Sequence, residues 1–312
     1  MKTNHLRLLT ALGLLLTCGS VAQAQTTSLK LVTRFDYPGG VFTVAQGIND
    51  AGDVVGYFTS NPNGSGLTGF VRYAGGTFSA PIIYPDSNVT QTILTAINNS
   101  GTFAGYYSTD PPVATHSFFL TGGAYTTYDY PGAYDTRITG INDQGDFVGT
   151  YMLTDNTKGA FAVIGGVLKS VTVPDATYVS ASDINNDGDI VGWYNPPDAS
   201  LAFRLESSGR LRAPIKPPMT RASLFYGTND TTASVGISYD GSFNHGLLFT
   251  GGHEFITYDL PNTNYNALTG INRRGLICGF GFDGSGTHSY LLRAKTTPAD
   301  QMAASHPRRS DQ

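Results

Sequence analysis

Cysteine, tryptophan and charge are all scarce in this chain. Of its two cysteines, Cys18 lies in an apolar N-terminal stretch that reads as a leader, so only Cys278 remains in the exported product. No intramolecular disulfide can then form, and the fold must be held by its core and its backbone hydrogen bonds. Charged residues make up 13% of the chain, and no basic run is longer than a pair, as at Arg273-Arg274 and at Arg308-Arg309 near the C-terminus. That composition excludes the clustered basic face of a nucleic-acid binder. Past the leader no segment stays apolar for the roughly 20 residues a membrane helix needs. The sequence has no Gly-x-Ser-x-Gly elbow, no His-Glu-x-x-His helix and no phosphate loop, which leaves the common hydrolase, zinc-protease and nucleotide-binding classes unsupported. Sustained helical periodicity is missing as well.

The leader has three parts. Lys2, His5 and Arg7 give a basic start, Leu8 to Thr17 an apolar stretch, and Ala22-Gln23-Ala24 a small-x-small cleavage pattern. Residues 1–24 are therefore expected to be a signal peptide, with lipidation at Cys18 as the other way to process it. Removing Lys2 and Arg7 leaves 17 basic against 23 acidic residues, a formal charge of −6. The product is expected outside the cytoplasm, secreted or periplasmic, as a monomer.

What the chain does have is glycine (38), tyrosine (18) and phenylalanine (17), the composition of strands and turns, and a phrase that returns six times. Gly47 to Phe58 reads GINDAGDVVGYF. The same phrase restarts at Ala96, Gly140, Asp183, Gly227 and Gly270, at intervals of 49, 44, 43, 44 and 43 residues. A period of about 40–45 residues matches four short strands with their turns, one blade of a β-propeller. In the third copy the four strands are expected near residues 137–142, 146–153, 159–164 and 167–173. Asp143-Gln144-Gly145 and Gly165-Gly166 supply the hairpin turns. Fourth strands end in a second phrase, Tyr128-Asp129-Tyr130-Pro131 or Tyr258-Asp259-Leu260-Pro261. The last copy lacks it, but Phe35-Asp36-Tyr37-Pro38 carries it ahead of the first copy.

The expected fold is thus all-β. It is a six-bladed propeller of four-stranded blades over residues 25–294, with the N-terminal strand laid beside residues 288–294 to close the last blade and cover its edge. Residues 295–312 read as a disordered tail.

Asn49, Asn98, Asn142, Asn185, Asn229 and Asn272 fill one position in all six copies. Their expected role is to cap their own turns, as Asn does in Asx-turns, rather than to line a channel as a polar ring. Gly56, Gly105, Gly149, Gly192, Gly236 and Gly279 recur in the middle of the second strand. A glycine there implies a bulge or the close approach of a large neighbour. The aromatics that follow, Tyr57, Tyr106, Trp193 and Phe280, are expected to pack between blades, and Cys278 to be a buried thiol. Asp183 to Asp189 matches the opening of a calcium loop but has Tyr194 where the twelfth-position Glu belongs, so it reads as another hairpin turn.

His116, His245 and His288 share the start of the third strand, opening HSFFL, HGLLF and HSYLL. With the Gly-Ile-Asn-x-x-Gly-x-x-x-Gly phrase ahead of them, these residues resemble the bacterial extracellular HAF-repeat proteins across residues 29–294. The resemblance implies an exported propeller-type repeat protein, and it implies no catalytic residue. The histidines, with Asp110, Asp240 and Asp283 five or six residues earlier, are expected to hold loops by hydrogen bonds. No metal and no cofactor is expected.

Function is expected on the face bearing the second-to-third loops and the blade connections. There Tyr37, Asp86, Tyr134, Asp135, Tyr178 and Tyr265 combine flat apolar surfaces with hydrogen-bonding groups suited to a sugar or a peptide. The leading expectation is a non-enzymatic binding or scaffolding protein for an extracellular glycan or protein. The alternative is a polysaccharide lyase or hydrolase using loop carboxylates such as Asp135 and Asp175.

Overall fold

A computed structural model describes residues 25–252 and 254–298. The expected leader, Cys18 and residues 299–312 of the expected tail lie outside the described residues. The described part falls into a large unit, residues 28–295, and the described ends of a small one, residues 25–27 and 296–298. Every regular element is a strand, and the described residues contain no helix.

The chain opens with β1 (Gln25–Phe35). The first repeat copy forms β2 (Phe42–Ile48), β3 (Val54–Thr59) and β4 (Thr68–Arg72), and its fourth segment joins β4 only through bridges at Phe78 and Ile82. The second copy is β5 (Val89–Ile97), β6 (Phe103–Thr109), β7 (Ala114–Thr121) and β8 (Ala124–Tyr128). The third is β9 (Ala133–Ile141), β10 (Phe147–Leu153), β11 (Lys158–Ile164) and β12 (Val167–Val171). The fourth is β13 (Tyr178–Ile184), β14 (Ile190–Asn195), β15 (Leu201–Leu205) and β16 (Leu211–Ile215). The fifth is β17 (Ala222–Thr228), β18 (Ser234–Tyr239), β19 (Asn244–Phe249) and β20 (Phe255–Tyr258). The sixth is β21 (Tyr265–Ile271), β22 (Leu276–Phe282) and β23 (Thr287–Pro298), and β1 pairs with β23.

Within each copy the strands run antiparallel in chain order. Between copies, single parallel bridges join the start of a third strand to the start of the next first strand: Thr115 to Asp135, Asn244 to Tyr265, and Thr287 to Phe42. β23 continues four residues past Ala294, through part of the segment read from sequence as a tail.

The first two strands of every copy share one irregularity, and it explains the recurring glycine. The register shifts between residues 45 and 47, 94 and 96, 148 and 149, 181 and 183, 225 and 227, and 268 and 270. This bulge brings the inner strand's carbonyl over the second strand. A Cβ on Gly56, Gly105, Gly149, Gly192, Gly236 or Gly279 would collide with the carbonyl oxygens of Val44, Ile93, Arg137, Ser180, Leu224 and Ala267 respectively. The residue is glycine because backbone occupies the place of its side chain.

The apolar core divides into six clusters, each shared by two consecutive copies. Leu94 packs with Val55 and Phe118, for instance, while Cys278 and Leu291 of the last copy pack with Ala45 and Val54 of the first. Cys278 is fully buried, and burial pushes its thiol up to about 12, which makes it an inert apolar group. Stacked rings extend these wedges outward: Tyr37 on Phe58, Tyr84 on Tyr107 and Tyr130 on Tyr151, each at 3.7 Å between centroids.

Candidate functional site

The six inner strands β2, β5, β9, β13, β17 and β21 surround two cavities with different chemistry. The smaller, about 80 Å³, lies at the end bearing the Asn-x-x-Gly turns. Each recurring asparagine does two jobs there. Its Oδ1 accepts backbone N–H groups of its own turn, as Asn142 does from Gln144 and Asp146 at 3.1 and 2.9 Å. In five of the six its Nδ2 reaches the next copy: Asn98 donates to the carbonyl of Asn142, Asn142 to Asn185, Asn185 to Asn229, Asn229 to Asn272, and Asn272 to Asn49, at 2.9–3.1 Å, while Asn49 Nδ2 donates to Asp53 of its own turn at 3.4 Å. Turn capping, expected from sequence, is thus half of the role. The polar ring that the sequence reading disfavoured is the other half, and the two uses are compatible because the amide has separate acceptor and donor ends.

The next residue builds a second circuit. Asp50, Asn99, Asp143, Asn186, Asp230 and Arg273 follow one another around the opening. The amide N–H groups of Asp50, Asn99, Asp143 and Asn186 donate to the side chains of Asn99, Asp143, Asn186 and Asp230 at 2.7–2.9 Å. Asn99 Nδ2 and Asn186 Nδ2 each donate to the carboxylates on both sides, and Arg273 bonds Asp50 through its backbone N–H and its guanidinium. Alternating Asp with Asn places a donor between every two acceptors. These groups are already spent on one another.

Asp183 departs from the repeat. Where the other copies have Gly47, Ala96, Gly140, Gly227 and Gly270, it puts a carboxylate beside the smaller cavity. Protein encloses it, and the surface it keeps faces that cavity. The carboxylate accepts N–H bonds from Ile184 and Thr228, both at 2.9 Å, yet burial still raises its pKa to about 7. The remaining carboxylates of the calcium-like phrase point elsewhere. Asp189 pairs at 2.7 Å with the buried Arg204 and accepts from the Ser207 N–H. Among the described residues no group of three or more His, Cys, Asp or Glu side chains converges as a metal site.

The larger cavity, about 320 Å³, lies on the other side of this layer. Gln46, Thr95, Thr139, Ser182, Tyr226 and Thr269 contribute one side chain from each copy, and Ser180, Trp193, Tyr265 and Phe280 complete the wall. Tyr265 stacks on Phe280 at 5.8 Å, and Tyr178 meets Trp193 at 5.3 Å. Burial, and then its hydrogen-bond partner Tyr265, raise the Tyr226 pKa; burial likewise pushes Tyr57 up to about 12. These phenols stay neutral. Nearby, Arg137 holds Asp135 through two bonds of 2.9 and 2.8 Å and lies 5.1 Å over the ring of Tyr106.

Of the residues singled out in the sequence, Asp135, Tyr178 and Tyr265 gather at this end. Both oxygens of Asp135 are held by Arg137, while Asp175 is exposed in the turn between β12 and β13. Tyr134 is half-buried beside Asp135. Tyr37 is engaged elsewhere, its ring on Phe58 and its hydroxyl donating to the Ser79 carbonyl at 3.1 Å. Asp86 shapes a turn by accepting the Asn88 N–H. Trp193, Phe280, Tyr226 and Gln46 were not read as site residues. Because Trp193 and Phe280 follow the recurring glycine, the sequence pattern places them in the packing between blades. The available signal was that they alternate with that glycine, whose missing Cβ faces the inner strand.

The histidines tie third strands to the second repeated phrase. His116 bonds Asp129 at 2.9 Å, His245 bonds Asp259 at 2.9 Å, and His288 bonds Asp36 at 3.0 Å. Two of the three loop aspartates expected from sequence make longer contacts, Asp240 with His245 at 3.3 Å and Asp283 with His288 at 3.5 Å, whereas His116 bonds Asp129 and not Asp110. Burial opposes charging of His245, but its bonds to Asp259 and Asp240 outweigh that and raise its pKa.

No protein-family model and no curated protein matches the sequence. Solved structures do match in shape. A TolB of Agrobacterium tumefaciens aligns at a TM-score of 0.57 with 13% identity, over 88% of this chain and 99% of the other. AofleA of Arthrobotrys oligospora gives 0.52 with 15% identity, over 88% and 90%. A lectin of Aleuria aurantia, determined with Fucα1-6GlcNAc, gives 0.50 with 10% identity, over 83% and 97%. The fold is an all-β structure of propeller type. At these identities the likeness shows the fold alone.

Proposed function

We propose that the chain is an exported six-bladed β-propeller, its last blade completed by β1, that binds a carbohydrate or peptide ligand at its loop-bearing end without transforming it. The blade count rests on the bonds between turns, in which asparagines run from Asn98 through Asn272 to Asn49 and the Asp50–Asn99 pair joins the first copy to the second, and on the six shared core clusters. Closure by β1 rests on its pairing with β23 and on the bond between His288 and Asp36. This architecture agrees with the resemblance to HAF-repeat proteins. The leader supports export, and no described helix is long and apolar enough to cross a membrane.

One observation carries the binding reading: aromatic side chains from several copies converge on the larger cavity at one end, while the other end is spent on internal bonds. Concave, aromatic-lined sites with a few polar groups are where small ligands and chain ends bind. The reading without catalysis is supported by Asp135, a carboxylate a hydrolase would have to free, being held through both oxygens by Arg137. The test is a glycan and peptide array with the leaderless protein, followed by a turnover assay on each hit. We expect a hit that Tyr178→Ala or Tyr265→Ala weakens at least tenfold and that is recovered unaltered. Product formation, or binding indifferent to both substitutions, would contradict the reading.

A further inference from the structure

The larger cavity is distinct from the smaller one. It shares no lining residue with it, and adjacent inner strands come close together at the level of Gly47, Ala96, Gly140 and Asp183, of which Ala96 and Asp183 line the smaller cavity. A Cβ on Gly140 would lie 2.6 Å from the Asp183 Cα, and one on Gly47 would lie 3.0 Å from the Ala96 Cα. Gln46, Thr95, Thr139, Ser182, Tyr226 and Thr269 ring the larger cavity with one residue from each copy. A cavity ringed in this way suits the end of a molecule better than the middle of a chain.

Its interior chemistry narrows what that end can be. The hydroxyls of Thr95, Thr139 and Thr269 are committed to carbonyls of the next copy, Ile138, Ala181 and Ala45, at 2.8–2.9 Å. The groups that can address a ligand include the end of the Gln46 amide not engaged by Tyr57, the Ser182 hydroxyl, the Trp193 indole N–H and the Tyr226–Tyr265 pair, set among the flat faces of Trp193 and Phe280. No lining residue is charged, so a carboxylate or ammonium group would enter without a counter-ion and lose its hydration uncompensated. That disfavours a peptide terminus. A volume of about 320 Å³ is at the small end of ligand pockets, which run from roughly 300 to 1,000 Å³.

We propose that this axial cavity is a subsite for one neutral sugar ring, the terminal residue of a glycan presented endwise. The proposal rests on the loop-bearing end being the binding end and names its ligand class. Trp193 is the single tryptophan of the chain and lines the cavity, so its emission reports occupancy directly.

The experiment titrates the leaderless protein with D-glucose, D-galactose, D-mannose, L-fucose and N-acetyl-D-glucosamine, and with D-glucuronic acid at pH 7, following Trp193 fluorescence. At least one neutral sugar should give a saturable change, and the charged sugar none. Ser182→Leu, which fills the cavity, should raise the Kd at least tenfold. Gln46→Leu, nearly the same size, should do likewise, and it decides the matter if Ser182→Leu fails to fold. Silence toward all neutral sugars while acrylamide still quenches Trp193, or a response that survives both substitutions, would overturn the proposal. Array binding that leaves Trp193 unmoved yet falls with Tyr178→Ala would overturn the axial subsite and leave the loop-end reading standing. No binding of any kind would sink both.

Discussion

The two ends of the inner strands are built from the same repeat and put to different uses. At the turn-bearing end the sequence is nearly uniform, with asparagine at one position in every copy and Asp, Asn or Arg at the next, and most of these polar groups bond a counterpart in a neighbouring copy. At the loop-bearing end the equivalent places hold Tyr57, Tyr106, Thr150, Trp193, Ile237 and Phe280, six positions with five residue types. Uniformity belongs to the end where each copy must match the next. Variation belongs to the end released from that matching, where a site can be shaped.

The contrast predicts that substitutions near the turn-bearing end act on stability. The largest effect is expected at Asp183. Its carboxyl is raised in the folded protein to about 7, so the native state holds a proton that the unfolded chain has released. That contribution is complete below the unfolded value near 4 and is lost as pH rises through 7. Asp183→Asn should therefore gain stability relative to wild type between pH 4 and pH 8, by up to ~4 kcal/mol. Melting curves across that range check it, and a pH-independent difference would show that the carboxylate is not buried as described.

Next comes Gly192→Ala, which drives a Cβ into the Ser180 carbonyl and should cost about 3 kcal/mol in denaturant unfolding. Asn142→Ala removes two turn acceptor bonds and the donor bond to Asn185, and should cost about 2 kcal/mol while leaving ligand affinity unchanged. A loss of affinity without a loss of stability would break the comparison between the two ends. The smallest effect has the opposite sign. Thr232 occupies the turn position that is glycine in the other five copies and has φ +67°, so Thr232→Gly should stabilise by about 1 kcal/mol, read as a raised Tm.

The fold was legible in the sequence to the extent that local chemistry repeats. The interval of 43–49 residues and the Asn-x-x-Gly turns locate the strands of the third copy to within a few residues of β9 to β12. The return of the Asp-Tyr-Pro phrase at residues 36–38 pointed to the pairing of β1 with β23. Less legible was whatever depends on how copies meet. The Oδ1 of Asn142 acts within its own turn and could be read. Its Nδ2 acts on Asn185, forty-three residues away, and could not. Asp183 stood out as a departure from glycine, but its place beside the smaller cavity follows only from the packing of six strands. Of the site, Asp135, Tyr178 and Tyr265 were found by composition. Trp193 and Phe280 were missed because they lie on second strands, away from the loops where recognition was sought.

Native-state hydrogen exchange on the leaderless protein tests the division between the two ends most directly, because it needs no ligand. The amides of Gly52, Thr102, Asp146, Asp189, Ala233 and Leu276, bonded to the six recurring asparagines, should exchange slowly and at similar rates, while segments 60–67, 196–200 and 240–243 exchange fast. Turn amides that exchange as fast as those loop segments would contradict the account.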